Sequence, residues 1–264
     1  MRTRASSVAL CAVAISTALA GCRTVDVKPP AATAAEAVTP PPPIKSTNTA
    51  ELASDRTVIG RSVEGRPIEA FVRGDPAGPC VLMIASIHGN EPAGTPLLAR
   101  MMDVLREDPA RAHGRRVVLI PVANPDGVAA RRRANANRVD LNRNFPADNF
   151  RGSSSHGGAP LSQPESRAIH ALIARERPTR VVSIHMPTAQ IDWDGDGEAL
   201  ARRMAALCPL PAKRMGSRPG SLGSWVGLTL DRPILTVELR GGDRRLDDDT
   251  LWRTYGDALL SVLE

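Results

Sequence analysis

Apolar residues along the chain are grouped into short runs of the length expected for β-strands. Four of these runs are almost uninterrupted, which predicts strands that are covered on both faces of a sheet. They lie at residues 80–87, 117–122, 181–184 and 233–239. A shorter strand candidate precedes them at residues 67–72.

Between these runs, apolar residues return at helical spacing. One helical face is formed by Leu98, Met101, Met102 and Leu105. Ser162 and Glu165 have the spacing of a capping box, which predicts that another helix begins there. Further helices are predicted at residues 199–207 and 247–263. Strands that alternate with helices indicate an α/β sheet with helices on both faces.

The N-terminus has the pattern of an export signal. Arg2 and Arg4 precede an apolar stretch at residues 8–20, which is too short to cross a bilayer comfortably. The stretch ends in a Leu-Ala-Gly-Cys string that resembles a bacterial lipobox and places Cys22 directly after small residues. We therefore expect a lipoprotein signal peptide at residues 1–21 and an acylated Cys22 that anchors the chain to a membrane. The alternative is a soluble secreted protein cut by the ordinary signal peptidase.

Prolines and small residues dominate residues 22–51, which predicts an extended, disordered linker. Residues 52–264 then have the length of one catalytic domain. Arg23 supplies no obvious inner-membrane retention signal, so we expect the anchor on the periplasmic side of the outer membrane.

Composition and charge narrow the possible partners. The formal net charge is +6, which we interpret as an arginine-rich surface. No basic run is interleaved with aromatic residues, so no nucleic-acid partner is expected. Two cysteines remain after export and acylation, Cys80 and Cys208. They either form a disulfide or are buried as small hydrophobic side chains.

Candidate metal ligands follow two of the predicted strands. His88 and Glu91 flank a Gly-Asn turn directly after the first buried run, and His185 ends the run at residues 181–184. Ligands of open α/β sheets bind at the carboxyl ends of strands. Imidazole nitrogen and carboxylate oxygen are zinc donors, and a catalytic zinc usually has three protein ligands. Solvated turn residues and a satisfied buried histidine are the alternatives.

Two further groups have the chemistry that an amide hydrolase needs. Glu238 is a lone acid inside an apolar strand, which is costly unless the carboxylate is paired or used as a base. Its alternative is a strand-edge glutamate that reaches solvent. Arg143 could hold a substrate carboxylate through two parallel hydrogen bonds.

These motifs together resemble the zinc carboxypeptidases in order and spacing, over essentially the whole domain. The matching strings are His88-x-x-Glu91, Asn124-Pro125-Asp126-Gly127, Asp140-Leu141-Asn142-Arg143-Asn144-Phe145, Ser183-Ile184-His185 and the late strand with Glu238. The resemblance implies an α/β fold of one domain, with a mixed, mainly parallel central sheet flanked by helices.

The same resemblance implies roles for particular residues. His88, Glu91 and His185 would bind one zinc ion per chain, and Glu238 would be the catalytic base. The resemblance implies two further roles: Arg133, between the second and third motifs, would polarise the scissile carbonyl, and Asn142 and Arg143, within the third motif, would bind the substrate carboxylate. Digestive-type carboxypeptidases also carry a tyrosine in a mobile active-site loop, but the only tyrosine here, Tyr255, lies in the closing helix and is not assigned that role.

Within the family, the chain is similar to the murein peptide amidases, which cut the bond between γ-D-glutamate and diaminopimelate in cell-wall peptides. The strings that support this are His185-Met186-Pro187 with Ile191-Asp192, and residues 219–225. We expect a cell-wall peptide as the substrate. The acidic loop at residues 192–196 would either meet the ammonium group of a diaminopimelate or lysine side chain or be a solvated turn.

Three other functions remain possible at this stage. A deacylase of small N-acyl amino acids would share the HGNE and Asp-Leu-Asn-Arg strings, but the Asn-Pro-Asp-Gly turn and the export signal argue against it. A non-catalytic wall-binding lipoprotein would be expected to have lost ligands or the base, and every candidate is present. A serine hydrolase is not supported, because no GxSxG string follows a strand.

Overall fold

A computed structural model describes residues 56–264, which all belong to one compact unit. The predictions for the signal peptide, Cys22 and the linker therefore lie outside the described residues. Seven strands form one sheet: β1 (Arg56–Arg61), β2 (Pro67–Gly74), β3 (Cys80–Ala85), β4 (Arg116–Ile120), β5 (Arg180–His185), β6 (Thr188–Asp194) and β7 (Ile234–Arg240). Their spatial order is β1-β2-β4-β3-β5-β7-β6. The sheet is mixed: the four central strands β4, β3, β5 and β7 are parallel, and the outer pairings are antiparallel.

Helices connect the strands. They are α1 (Gly94–Glu107), α2 (Pro125–Ala129), α3 (Pro164–Glu176), α4 (Glu198–Ala205) and α5 (Asp248–Leu260). Shorter turns are 3₁₀-helical at Pro109–Ala112, Leu141–Arg143, Asp243–Arg245 and Ser261–Leu263, and π-helical at Ser224–Thr229. Every strand and helix predicted from the apolar pattern is present. Within residues 56–264, no helix is long and apolar enough to cross a membrane.

The sheet is buried on both faces. Successive residues of β3 point to opposite sides, so that Val81 and Met83 join the core under α1, α4 and α5, while Leu82 and Ile84 join the core under α3. This two-sided burial explains why the central strands are continuous apolar runs. It also leaves the carboxyl ends of the parallel strands as the edge where polar side chains gather.

The structure corrects one local prediction. Helix α3 begins at Pro164 as expected, but the capping box does not form, because the N-cap is Gln163 and its side chain caps nothing. Ser162 accepts a hydrogen bond from Asn144 at 2.9 Å, and Glu165 is fully buried against the loop that contains Asn135. Long-range contacts have recruited both side chains that the capping box needed.

The two cysteines of the domain are free thiols. Cys80 is buried in the core on one face of the sheet, and Cys208 is partly buried against the core on the other face, so the two do not form a disulfide. Burial raises the pKa of the Cys80 thiol to about 12.

Candidate metal centre and active site

The site is built where two neighbouring parallel strands end. His185 is the last residue of β5, and His88 lies in the turn that follows β3, the strand hydrogen-bonded to β5. The turn can form only because Gly89 has no side chain: a Cβ there would lie 1.9 Å from the carbonyl carbon of Gly127. The backbone nitrogen of Glu91 then donates to the carbonyl of His88 at 3.1 Å, which closes the turn and aims the carboxylate back at the imidazole.

His88, Glu91 and His185 converge on one point. The Nδ1 of His88 lies 2.8 Å from Oε1 of Glu91, and the Nδ1 of His185 lies 3.0 Å from Oε2. The two Nδ1 atoms are 3.1 Å apart. Zinc bonds to such donors measure about 2.0–2.2 Å, so donors at the corners of a tetrahedron lie roughly 3.3–3.6 Å apart, a few tenths of an ångström more than the separations seen here. The spacing and chemistry of this buried donor set therefore fit one zinc ion.

The far nitrogen of each imidazole is also engaged. Nε2 of His88 lies 3.0 Å from Oδ1 of Asp140, and Nε2 of His185 lies 2.9 Å from Oγ of Ser183. A hydrogen bond at Nε2 fixes the ring and leaves Nδ1 free for a metal. Both partners lie within the sequence motifs described above, but their roles could not be predicted because the two contacts depend on the tertiary fold.

The charges of the site favour a cation. Burial raises the pKa of Glu91, but hydrogen bonds from His185 and His88 outweigh burial and lower that pKa to about 2. Burial acts in the same way on Asp140, and its hydrogen bond to His88 holds its pKa below the usual range. Burial disfavours protonated His88, yet the two carboxylates raise its pKa. Both acids are therefore ionised at neutral pH.

Glu238 lies beside this trio. It is on β7, directly opposite His185 of β5. Because β7 is hydrogen-bonded on both sides, by β5 and β6, the alternative of a strand-edge glutamate is wrong. The half-buried side chain lines a cavity of about 260 Å³ that His88 and His185 also line. Among the described residues, no cationic side chain forms an ion pair with it.

Arg133 reaches the metal trio from a neighbouring loop. Its Nη1 lies 3.1 Å from Oε1 of Glu91 and its Nε lies 3.0 Å from Oδ2 of Asp140. The side chain is 45% exposed and lines the same cavity. Asn135 supports the loop, since its amide donates to Gln163 at 2.9 Å and to Glu165 at 3.1 Å.

Asn142 and Arg143 lie on a 3₁₀ turn capped by Asp140, whose carboxylate accepts from the backbone nitrogen of Asn142 at 3.0 Å. Both side chains line the cavity. Oδ1 of Asn142 accepts from the backbone nitrogen of Leu222 at 2.9 Å, which leaves the amide nitrogen for a ligand. Burial lowers the pKa of Arg143, and within residues 56–264 no carboxylate pairs with its guanidinium at ion-pair distance. An unpaired, partly buried guanidinium is suited to an anionic ligand.

The two remaining candidates are the single tyrosine and the acidic string at residues 192–196. Tyr255 is buried in the core, where its hydroxyl donates to Asp243 at 2.5 Å, so it takes no part in the cavity. The acidic string is different: Asp192 and Asp194 belong to β6 and are buried in the cavity wall, so the interpretation as a solvated turn is wrong for them. Arg218 also lines the cavity but was not predicted, because an arginine in a Gly- and Ser-rich loop resembles any surface arginine.

Fold and donor chemistry together define the class, a metal-dependent hydrolase that works at the carboxyl edge of a mixed α/β sheet. The sequence matches the zinc carboxypeptidase family over residues 48–194, and the chain belongs to that family. Zinc is accordingly its metal.

Several relatives are similar over much of their length. Murein peptide amidase A of Escherichia coli K12 is 36% identical over 184 residues, which cover 63% of this chain and 74% of that protein. The protein of the same name from Vibrio campbellii is 34% identical over 226 residues, or 79% of this chain and 87% of its own.

The fold is similar to solved structures of the same class. The crystal structure of murein-tripeptide amidase from Escherichia coli O157 superposes with a TM-score of 0.63 at 31% identity, covering 82% of this chain and 96% of that one. Carboxypeptidase A from Helicoverpa armigera gives 0.67 at 21% identity, with coverage of 78% and 66%. The more distant match shows the fold alone.

Proposed function

We propose that the protein hydrolyses an amide bond next to a free carboxylate, namely the bond between γ-D-glutamate and diaminopimelate in murein peptides. One observation carries the proposal: a single cavity brings together His88 and His185 of the metal trio, the carboxylate of Glu238 and the guanidinium of Arg143. Neither of the last two forms an ion pair with another residue of the described chain. The relatives named murein peptide amidase support the choice of substrate.

Each group would then have one task. His88, Glu91 and His185 would hold the zinc ion, which would supply a Lewis acid for polarising the carbonyl and activating water. Glu238 takes a proton from the attacking water and delivers it to the departing amine. The guanidinium of Arg133, already at the rim of the metal trio, stabilises the developing oxyanion.

Asn142 and Arg143 position the substrate. The free carboxylate of the departing residue binds their amide and guanidinium, which places the scissile carbonyl between the metal trio and Glu238. Since the turn is pinned by Asp140 and Leu222, this clamp is held in place before the substrate arrives. A clamp of this kind limits cleavage to bonds near a chain terminus.

We also propose that the protein is an exported lipoprotein, anchored by an acylated Cys22 on the periplasmic side of the outer membrane. The lipobox-like string and the proline-rich segment after it support this location. Fractionation of cells that express the parent and Cys22→Ala tests it. We expect the variant to leave the membrane fraction; an unchanged distribution, with the signal peptide shown to be cleaved, would exclude the anchor.

The reaction is tested on the purified domain with the tripeptide L-Ala-γ-D-Glu-diaminopimelate, followed by mass spectrometry. We expect free diaminopimelate to be released, to disappear with a chelator and to return with added zinc. Glu238→Gln should bind zinc as tightly as the parent but lose at least about 1,000-fold in kcat. Glu107→Gln, which makes the same change at an exposed site, serves as the control. Full activity of zinc-loaded Glu238→Gln would refute the base assignment.

A further inference from the structure

The turn at residues 124–127 is the one family-matching string to which the proposed mechanism assigns no task. Asn124 is the N-cap of helix α2, and its Oδ1 accepts from the backbone nitrogen of Gly127 at 2.9 Å. The residue is fully buried and does not line the cavity. It therefore cannot touch a substrate, and any part it takes in the reaction must pass through other residues.

Asn124 borders the turn that contains two of the metal ligands. Three consecutive carbonyls lead into that turn, and each accepts a hydrogen bond from residues 123–124. Ala85 and Ser86 accept from the two backbone nitrogens, at 3.1 and 3.0 Å. Ile87 accepts from the side-chain Nδ2 of Asn124 at 3.1 Å. The side chain thus makes the last of three bonds that fix the backbone just before His88.

The approach to His88 includes an unfavourable backbone conformation. Ser86 has a φ of 51°, which a residue other than glycine keeps only when the surrounding structure holds it there. Its carbonyl is held by the backbone nitrogen of Asn124, and its hydroxyl lies 2.9 Å from Oγ1 of Thr95. Neither contact involves the side chain of Asn124. The metal-binding turn should therefore survive a substitution at this position.

The same amide also binds the loop that carries Arg133. Nδ2 of Asn124 donates to the backbone carbonyl of Arg133 at 3.3 Å. From that backbone the guanidinium extends to Glu91 and Asp140, at 3.1 and 3.0 Å. Because both hydrogens of an amide leave one nitrogen in a fixed plane, the side chain sets the spacing between the chain before His88 and the chain at Arg133.

The backbone around this amide is closely packed. A Cβ on Gly127 would lie 2.4 Å from Nδ2 of Asn124, and a Cβ on Gly89 would lie 1.9 Å from the carbonyl carbon of Gly127. The carbonyl of Gly127 also accepts from the backbone nitrogen of Arg132 at 2.9 Å. The metal-binding turn, α2 and the arginine loop therefore meet at one point that has no room for a further side chain.

We propose that Asn124 is a positioning residue, whose buried amide sets the place of Arg133 relative to the metal-binding turn and so aligns the guanidinium with the carbonyl that is cleaved. This inference rests on the proposed function, in which Arg133 stabilises the oxyanion. Such stabilisation depends steeply on distance, and a displacement of about 1 Å can cost roughly 100-fold in rate. Asn124 therefore acts on kcat, and zinc binding and KM depend little on its side chain.

Two variants remove the amide hydrogens and keep the helix cap. Asn124→Asp has the same shape and keeps Oδ1 for Gly127, whereas Asn124→Ser caps equally well without a charge but is too short to reach the two carbonyls. Each should lower kcat on L-Ala-γ-D-Glu-diaminopimelate about 10- to 100-fold, with KM and the zinc dissociation constant within about threefold of the parent. Asn137→Asp, the same change at an exposed position of the arginine loop, is the control and should match the parent.

A double-mutant cycle distinguishes positioning from a general disturbance of the fold. Arg133→Gln should lower kcat by at least about 100-fold. If Asn124 acts through Arg133, adding Asn124→Asp to Arg133→Gln should lower kcat by no more than about threefold further. Two residues that act independently would instead give losses that multiply.

The place of Arg133 is also measured without catalysis. In proton–nitrogen correlation spectra of the zinc-loaded protein, the Nε–H signal of Arg133 is identified by its absence from Arg133→Gln. The contact with Asp140 should keep this signal apart from those of solvent-exposed arginines. Asn124→Asp and Asn124→Ser should move it towards the exposed arginines, and Asn137→Asp should leave it in place.

The outcomes separate the two claims. If the zinc-loaded parent releases no diaminopimelate, the proposed function fails, and the Nε signal alone decides whether Asn124 positions Arg133. If the parent is active, losses that multiply in the cycle, or an unchanged Nε signal in a folded Asn124 variant, refute the positioning role while the proposed function stands. Loss of the folded state in both variants, seen by thermal unfolding, would also refute it, because Asn124 would then support the fold as a whole.

Discussion

Replacing Asp140 by asparagine tests how the site is held together. The carboxylate accepts from Nε2 of His88 through Oδ1 and from Nε of Arg133 through Oδ2, each at 3.0 Å. Asparagine keeps one acceptor for His88, but its amide nitrogen would face the Arg133 donor. The substitution therefore weakens one contact, reverses the other and removes a negative charge from behind the metal trio.

The expected loss follows from these two contacts. Removing an outer partner of a metal-bound histidine typically costs 10- to 100-fold in metal affinity, or about 1.4–2.7 kcal/mol. We expect the zinc dissociation constant of Asp140→Asn to rise by about that factor. The hydrolysis rate at saturating zinc should also fall, because Arg133 loses one of the two carboxylates that orient it.

Competition with a chromophoric chelator measures the zinc dissociation constant directly. Asp148→Asn makes the same change at an exposed site and serves as the control. Thermal unfolding of the metal-free proteins shows whether the variant is folded. A zinc dissociation constant within about twofold of the parent, in a folded variant, would refute the idea that Asp140 holds His88 for the metal.

Three further predictions concern the same region. Ser183→Ala should raise the zinc dissociation constant about 10-fold in the same competition assay, since it removes the one hydrogen-bond partner that the His185 Nε2 has within residues 56–264; an unchanged constant would contradict this. Gly89→Ala should destabilise the fold by more than about 3 kcal/mol in urea denaturation, because its Cβ would overlap the backbone of Gly127; a variant of parental stability would show that the turn can move. The folded-state pKa of Glu91, about 2, is depressed below its ordinary value of 4.5, so ionised Glu91 contributes stability that is present above pH 4.5 and lost as the pH falls toward 2. The melting temperature of chelator-treated protein should therefore fall more steeply over that range than that of Glu91→Gln, and equal slopes would contradict the assignment.

Much of the fold was predictable because its central strands are buried on both faces. A strand of this kind must be apolar at nearly every position, and such a run is easily recognised in the sequence. The outer strands β1 and β6 were not predicted, because neither is a continuous apolar run. β6 is polar at every second position because those side chains line a cavity, and its acidic residues are ordinarily typical of loops. The alternation of Gln190, Asp192 and Asp194 with apolar residues was the available signal.

The candidate site was predictable to the extent that its chemistry lies in short strings. His88 and Glu91 lie in a turn directly after a buried strand, His185 ends another strand, and Glu238 lies within a third. Each of these short strings was enough to predict its site residue. Groups that act through a tertiary contact could not be found in this way. Ser183 supports His185 only because alternate residues of β5 lie on the same side of the strand.

The sequence by itself determined which chemical groups the protein possesses and at which strand ends they lie, since apolar runs and turn residues are local properties of the chain. Only the tertiary structure decided which of those groups meet. His88 and His185 are 97 positions apart, and their Nδ1 atoms come within 3.1 Å because β3 and β5 pair in parallel. In the same way, the pairing of β6 with β7 turned an acidic string into the wall of a cavity. Strand order and register depend on the packing of the whole sheet, and no local pattern encodes them.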